Sequence, residues 1–306
     1  MTTSATARRV GEARRIRDPF AVARWYTSRT ILHALSIFVG LLLMIPFAWA
    51  AISSLKPVYE IRVLPPVFWP SQFMWSNYVE VWATSFFTNW VVNTVFITVT
   101  ATTGAVLSAS AAGYAFARFR FPGRDVLFGL TLATMMLPYE VTLIPTYLMY
   151  YLFGWLNTFL PLTVPSWLGG GAFLIFLFRQ FFATLPVEID EAAKIDGANY
   201  VQILTRIVLP LSLPVLATAA ILALMSNWNS FIFPLIILND TDKFTLSIGL
   251  RYFAISLLGA GATSDAKPLD HLLLAGSIMM TIPIIVIFFF GQRYFVQGVV
   301  MSGIKG

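Results

Sequence analysis

The sequence predicts an all-α polytopic membrane protein with six transmembrane helices, both termini cytoplasmic, and short cytoplasmic helices between spans four and five. Three observations carry this. The 306-residue chain is 58% hydrophobic and only 11% charged, with a mean hydropathy of +0.77, too little polar surface for a water-facing domain. Its apolar runs recur at about 20 residues, the length that crosses a 30 Å hydrocarbon core. Its basic residues fall unevenly between the connecting segments. The runs are continuous and lack period-2 alternation, which argues against a β-barrel.

Taken in order, residues 1–30 hold seven arginines against Glu12 and Asp18. A basic stretch followed by an apolar one is also how a signal peptide begins. Here the arm is long, the run after it is span-length, and no small-residue cleavage motif follows clearly, so 1–30 reads as an uncleaved cytoplasmic arm. Spans are expected at roughly 31–52, 89–113, 126–150, 162–182, 211–238 and 271–292. With both ends inside, the inside segments carry fifteen Lys and Arg and the outside segments five, which satisfies the positive-inside rule. The net charge of +6 then reflects basic flanks facing anionic lipid rather than a nucleic-acid partner. Cysteine is absent, so disulfides, thiolate metal sites and Cys nucleophiles are excluded. His33 and His271 sit at span ends, and no metal-ligand cluster is visible.

Two outside segments stand out. Residues 53–88 contain Pro57, Pro65, Pro66 and Pro70 with Trp69, Trp75 and Trp82. Proline forbids one continuous helix and Trp favours the membrane–water boundary, so a loop lying on the bilayer is expected. Residues 239–270 are polar, with Asp240, Asp242, Asp265 and Asp270 and the glycine-rich LLGAGATS. They read as an exposed loop, either a partner contact or a plain connector.

The inside segment 183–210 gathers Glu188, Asp190, Glu191, Lys194, Asp196 and Arg206 between two apolar runs. Two short helices are expected. Pro186 suits a first turn, and the acids after it complement the helix dipole. Ile189, Ala192 and Ala193 make a narrow apolar face opposite a charged one. Gly197 suits the residue after a helix end, where positive φ costs nothing, and a second helix runs from about Asn199 to Val208. Such short helices are not stable alone. They lie against their own bundle and the headgroups, or they dock another protein.

The segment Glu191-Ala192-Ala193, Gly197, then Ile207-Val208-Leu209-Pro210 resembles, without a gap, the EAA loop of ABC-importer permeases. The flanks FLFRQFFATLP and KIDGAN are similar to the sugar-importer branch, the MalG-like or UgpE-like permeases, as are WNSFIFPLII (228–237), IPTYLMYYLFGWLNT (144–158) and the tail RYFVQGVVMSGIKG (293–306). The likeness covers the transmembrane domain 31–306 and leaves the arm 1–30 without a counterpart. It implies a permease subunit that pairs with a second, homologous permease, two ATPase subunits and an extracytoplasmic solute-binding protein in a bacterial or archaeal cytoplasmic membrane. It implies a sugar substrate, di- or oligosaccharide first, with glycerol phosphate or another solute as the alternative. ATP and Mg would sit on the ATPase subunits and no cofactor on this chain. The sequence has no G-x-x-x-x-G-K-[ST] phosphate loop, which agrees.

Residue by residue, the resemblance implies that Ala192 and Ala193 pack closely into an ATPase cleft and that Gly197 turns the chain. Glu191 and Asp196 would make polar contacts at the rim. Ile207, Leu209 and Pro210 would anchor the second helix to span five. Gly303, Lys305 and Gly306 would reach between the ATPase subunits. For the translocation path the residues themselves offer Glu140, a costly intramembrane acid that either bonds a neighbour or the backbone freed around Pro138 and Pro145, or lines the path. Asn227 and Asn229 lie two apart and cannot share a helical face. Trp228 stacks on a sugar ring or simply packs. The spans hold no cation away from their ends, which leans toward a neutral sugar. A self-contained secondary transporter would be expected to show coupling acids or an inverted repeat, and only Glu140 qualifies. A membrane-embedded enzyme needs clustered His, Asp or Ser, and none is evident.

Overall fold

The computed structural model describes residues 19–84, 86–260 and 270–303; for 19–24, 26, 256–260 and 293–303 it describes the backbone alone. Most of the arm and the tail residues Lys305 and Gly306 therefore lie outside the described residues. No strand occurs among those described. The chain divides into two units, residues 1–53 and 54–306.

The first unit is carried by α1 (Pro19–Ser54). Its side chains are exposed from Thr27 to Trp49. It is apolar all round, and such a helix is stable in lipid or against another apolar helix rather than in water.

The second unit opens with a folded cap, not a loose loop. α2 (Val58–Ile61) and α3 (Ser76–Ala83) are joined by polar contacts that satisfy the buried Lys56, Glu60 and Asn77. Lys56 Nζ donates to Val67 O at 2.7 Å, Ser71 donates to the Glu60 carboxylate, and Asn77 Nδ2 donates to Ser54 O at 2.8 Å. Trp69, Trp75 and Trp82 remain exposed.

Next, α4 (Phe87–Arg118) is the central post. Its buried side is built of small residues, with Ala101, Gly104, Ala105, Ala109 and Gly113 in sequence. Lipid tails are as apolar as leucine, so helices in a membrane associate by close packing, which small residues permit. α5 (Arg124–Ala133), a 3₁₀ turn and α6 (Tyr139–Leu152) follow. Then come α7 (Leu160–Thr163), a second 3₁₀ turn at Val164–Leu168, and α8 (Ala172–Thr184). α9 (Val187–Ile195), α10 (Tyr200–Ile203) and α11 (Leu209–Leu211) form the inside segment. α12 (Leu213–Trp228), α13 (Ile232–Ile237), α14 (Leu246–Ala260) and α15 (Asp270–Gly303) complete the chain.

Four helical stretches are long and apolar enough to cross a membrane: Thr27–Ser54, Phe87–Arg118, Leu160–Thr184 and Asp270–Gln292. Two bent pairs bring the candidates to six. Arg124–Met136 meets Tyr139–Leu152 at 102°, and Tyr200–Leu211 meets Leu213–Trp228 at 87°. The expected continuous span at 126–150 is thus broken. Leu137 precedes Pro138 and adopts ψ 118°, because the proline ring disfavours the α conformation in the residue before it. The expected span 211–238 is broken too. Helix stops at Trp228 and resumes at Ile232. Pro234 has no N–H to offer Ser230 O, and its ring would clash with that carbonyl.

The segment 239–270 is the largest correction. It is not an exposed loop throughout. Asn93 Nδ2 donates to Asp242 O and Phe244 O at 2.8 and 3.1 Å, and Trp90 Nε1 to Thr241 O at 2.7 Å. α14 then buries Leu246, Ile248, Leu250 and Phe253. Only residues 261–269 remain between α14 and α15, outside the described residues. At the start of this segment Asp240 is held below the usual carboxylate range by the Lys243 ammonium and then by the Asn157 amide. The α15 backbone stays helical through 293–303.

A Cβ at Gly113 would lie 2.6 Å from Phe178 Cβ and 3.0 Å from the Arg179 backbone nitrogen. Gly113→Val should therefore push α4 from α8 and destabilise by about 1–3 kcal/mol. Thermal unfolding in mild detergent checks this, with Gly129→Ala, whose Cβ meets nothing within 4 Å, as the neutral comparison.

Candidate functional site

The segment 183–210 folds as a braced elbow. Pro186 precedes α9 with ψ 135°. The helix ends in a tight reversal. Gly197 N–H donates to Lys194 O at 3.0 Å, Ala198 N–H donates to Ala193 O at 2.9 Å, and Gly197 has φ +83°. This is the left-handed cap that glycine provides without strain. Asn199 then caps α10 reciprocally, its side chain accepting from Gln202 N–H and its own N–H donating to Gln202 Oε1, both at 2.9 Å. A single π turn follows at Leu204–Val208, where Leu209 N–H reaches back to Leu204 O. The wider turn precedes Pro210, whose ring would otherwise clash with the Arg206 carbonyl. Ser212, buried, marks the 87° bend into α12.

One interaction fixes this elbow to the bundle. Arg118, the last residue of α4, places Nε 3.1 Å from Asp190 Oδ2, and both side chains are nearly inaccessible, at 7% and 5% exposure. Arg118 also donates to Leu185 O at 2.9 Å, and the Tyr114 hydroxyl lies 3.4 Å from Asp190 Oδ2. Ala193, Ile203 and Val208 bury behind the pair with Phe178 and Phe182.

Sequence reasoning placed these residues only in part. Ala192 and Ala193 do not share an outward face: Ala192 is exposed, whereas Ala193 is packed inside the chain's own core. Asp190 is not on a solvated charged face but buried. Glu191, Asp196, Gly197 and Pro210 are exposed; Ile207 and Leu209 are half-buried against the core. The outward face includes two apolar residues that were missed, Ile195, 87% exposed, and Val201, 70% exposed. Ile195 sits three residues after Ala192, a helical spacing that reveals it. Gly303 closes α15, and its side-chain surroundings lie outside the described residues.

The second feature is a cavity of about 180 Å³ between α4, α7 and the gap separating α12 from α13. Its polar wall comprises Thr94, Thr98, Ser166, Asn227, Ser230 and Thr245. Asn227 Nδ2 donates to Ala223 O at 2.9 Å and lies 3.4 Å from Thr102 Oγ1. Of the other path candidates, none reaches this space. Trp228 is buried, with Nε1 donating to Met280 O at 3.1 Å, so it packs and bonds rather than offering a stacking face. Asn229 is exposed and returns its amide to Met225 O at 2.8 Å. Glu140 stands exposed in the first turn of α6, at the 102° break. Among the described residues no hydrogen bond or ion pair within the chain holds its carboxylate. Arg179 of α8 lies over the Phe128 ring at 4.0 Å.

Comparison with known proteins decides the family. Residues 104–301 match the family of binding-protein-dependent transport system inner membrane components. The chain belongs to that family. It is 34% identical over 272 residues to the arabinooligosaccharides transport system permease protein AraQ of Halalkalibacterium halodurans, covering 88% of this chain and 94% of the relative. It is 32% identical to the sn-glycerol-3-phosphate transport system permease protein UgpE of Yersinia pestis, covering 88% and 95%. Among solved structures, a chain of a bacterial ABC transporter involved in the import of the acidic polysaccharide alginate superposes with a TM-score of 0.76 at 26% identity, covering 88% of this chain and 98% of that one. The expected ABC-importer permease, a helical inner-membrane component, is therefore what the chain is, and the elbow and the cavity are features of a permease.

Removing one partner of the Arg118–Asp190 pair leaves the other charge buried and unmatched. Asp190→Ala should cost about 3–5 kcal/mol, whereas the double variant Arg118→Met, Asp190→Leu should recover most of that loss. Thermal unfolding of the two variants and the parent checks the non-additivity.

Proposed function

We propose that this chain forms, with a second homologous permease, the translocation path of an ATP-driven saccharide importer, and that the 183–210 elbow is its docking element for an ATPase subunit. The observation that carries the reading is the elbow's two-sidedness. Its inner face is welded to α4 and α8 through Asp190, Ala193 and Ile203, and its outer face presents Ala192, Ile195, Gly197 and Val201 ringed by Glu191, Lys194 and Asp196. An exposed apolar patch with a charged rim is the surface of a protein contact. A rigid contact of this kind transmits force: movement of the ATPase cleft would be passed through Arg118 to α4 and through Ser212 to α12. Glu191 and Asp196 serve as rim contacts, while Ile207, Leu209 and Pro210 tie the elbow to α12. Coupling of this sort requires a two-state element that both sites bias, and the bends at 137–138 and 212 are where such an element would flex.

The fifteen-to-five partition of Lys and Arg supports cytoplasmic termini and six crossings, with the elbow on the cytoplasmic side. ATP hydrolysis then belongs to two separate ATPase subunits, and the tail around Gly303, Lys305 and Gly306 extends toward them. An extracytoplasmic binding protein would meet the opposite end, where the cap 54–84 and the 239–244 strap lie. The saccharide assignment draws on AraQ and on the alginate importer. The UgpE likeness keeps glycerol phosphate as the second reading.

Gly197→Asp tests the docking role. A Cβ at Gly197 meets nothing within 4 Å, so the variant should fold, losing about 1 kcal/mol from the φ of +83°. It adds bulk and charge on the outer face. Mild affinity purification of the parent from its native membrane should recover an ATPase subunit and a second permease. The variant should recover less ATPase subunit and lose at least about tenfold in solute-stimulated ATP hydrolysis, a loss of about 1.4 kcal/mol of coupling. Parent-like stimulation in Gly197→Asp would falsify the docking role. Transport by the isolated chain without ATP would replace the importer reading with a secondary transporter.

A further inference from the structure

The cap 54–84 is built inside out. Its charged residues are Lys56, Glu60, Arg62 and Glu80, and each has a partner within the chain. Lys56, 1% exposed, donates to Val67 O, and Glu60 accepts from Ser71. Arg62 Nη2 donates to Asp270 Oδ1 at 3.0 Å, and the Glu80 carboxylate lies 3.4 Å from His271 Nε2, both at the start of α15. Asn77 is buried as well, its amide engaged by Ser54 O and Lys56 O. The surface left over is largely apolar. Leu64 is 86% exposed, and Phe68 and Trp69 are exposed further along the loop. Polar groups beneath and aromatic groups outside is the reverse of what water selects.

α3 shows the inversion on a single helix. Trp75 at its N-cap, Val79 and Trp82 recur at i, i+4 and i+7, and all three are exposed. They therefore form one outward stripe. Asn77 and Val81, on the other side of the helix, are buried.

Position and chemistry select the covering. The cap joins two stretches that are each long and apolar enough to cross a membrane, Thr27–Ser54 and Phe87–Arg118. It therefore begins and ends at one membrane boundary. Indole rings settle at that boundary, with the apolar body among acyl chains and the polar edge toward the headgroups. A protein contact is marked instead by a polar rim around its apolar centre. Here the charges are already engaged within the chain, and the stripe itself carries none.

We propose that the outer flank of the cap, with Leu64, Phe68 and Trp69 on the loop and Trp75, Val79 and Trp82 on α3, sits in the headgroup–acyl boundary of the bilayer as a non-spanning anchor. The pairs Arg62–Asp270 and Glu80–His271 tie that anchor to the first turn of α15, so the bilayer surface fixes the height at which α15 begins. The inference needs only that the chain spans a bilayer. It does not depend on the solute or on docking of the elbow, and it leaves the 239–244 strap to a binding protein.

The chain has no cysteine, so one introduced thiol reports one place on it. The test uses the complete transporter, this chain with its partner subunits, in phosphatidylcholine and phosphatidylglycerol liposomes. Val79→Cys and Leu64→Cys probe the flank, and Asp242→Cys on the strap, where the residue is exposed, is the water-facing comparison. Each variant carries a nitroxide label, and the parent complex treated alike supplies the background. Collisions with oxygen, which dissolves in acyl chains, and with a neutral nickel chelate, which stays in water, give the depth. Labels at 79 and 64 should meet oxygen freely, be shielded from nickel and lie about 5–10 Å into the boundary. The label at 242 should meet nickel. Nickel contact at 79 and 64 equal to that at 242 means that the flank faces water and overturns the anchor. Shielding from both reagents means that a protein subunit covers the flank, which overturns it too. If the cysteine variants fail to assemble, quenching of tryptophan fluorescence by lipids brominated near the headgroup decides the same point. The double variant Trp75→Phe, Trp82→Phe should then lose part of the quenchable emission, and an unchanged quenched fraction overturns the anchor.

Discussion

The buried pair of Arg118 and Asp190 is the constraint on which the rest of the structure depends. It joins the last residue of the central helix to the first turn of α9 across more than seventy residues of chain. Its chemistry is not that of maximal stability. Two charges withdrawn from water gain little over a well-packed apolar pair, and here neither Asp190 Oδ1 nor Arg118 Nε makes a hydrogen bond within the described residues. What the pair supplies is direction. An apolar contact can slide by a side-chain width at little cost, whereas a buried carboxylate that leaves its guanidinium forfeits several kcal/mol. For the docking role proposed for the elbow, resistance to sliding matters more than a deep well.

The same logic runs through α4. In a bilayer the hydrophobic effect does not bring helices together, so small residues and polar ties must. Gly104, Ala105, Ala109 and Gly113 let α8 and the 3₁₀ turn at 164–168 approach; Ser108 Oγ donates to Ser166 O at 2.8 Å. Further along, Thr94 Oγ1 accepts from Leu246 N–H at 2.7 Å and donates to Trp90 O. The central helix thus holds the elbow at one end and the α14 cap at the other. Between them Thr98 keeps a buried hydroxyl with no hydrogen-bond partner among the described residues.

The sequence showed the class of fold because span length is a crude quantity that survives any packing. It hid the breaks at 137–138 and 229–231, since a proline in an apolar run kinks a helix or ends it depending on tertiary support. α14 was hidden by its neighbourhood. Acids and glycines on either side made 239–270 look like loop, although Leu246, Leu250 and Phe253 at i, i+4 and i+7 carry a helical stripe. Asp190 was misjudged for a related reason. Charge was read as solvent exposure, while the i, i+3 spacing to Ala193 puts it on the inward face, and Arg118 at a span end is the cation that permits its burial.

A consequence follows for how substrate identity enters such a protein. The elbow depends on backbone turns, a glycine and an ion pair, none of which touches solute, so it can be shared by permeases that import different compounds. The cavity wall is uncharged, with Thr94, Thr98, Ser166, Asn227, Ser230 and Thr245 as its polar residues. The residues of the elbow and those of the cavity wall therefore do not overlap. They meet in α4, which holds Thr98 in its first half and Arg118 at its end, and in α12, which follows the elbow and carries Asn227. A shift of α4 along its axis would move the anchor of the elbow and the cavity wall together.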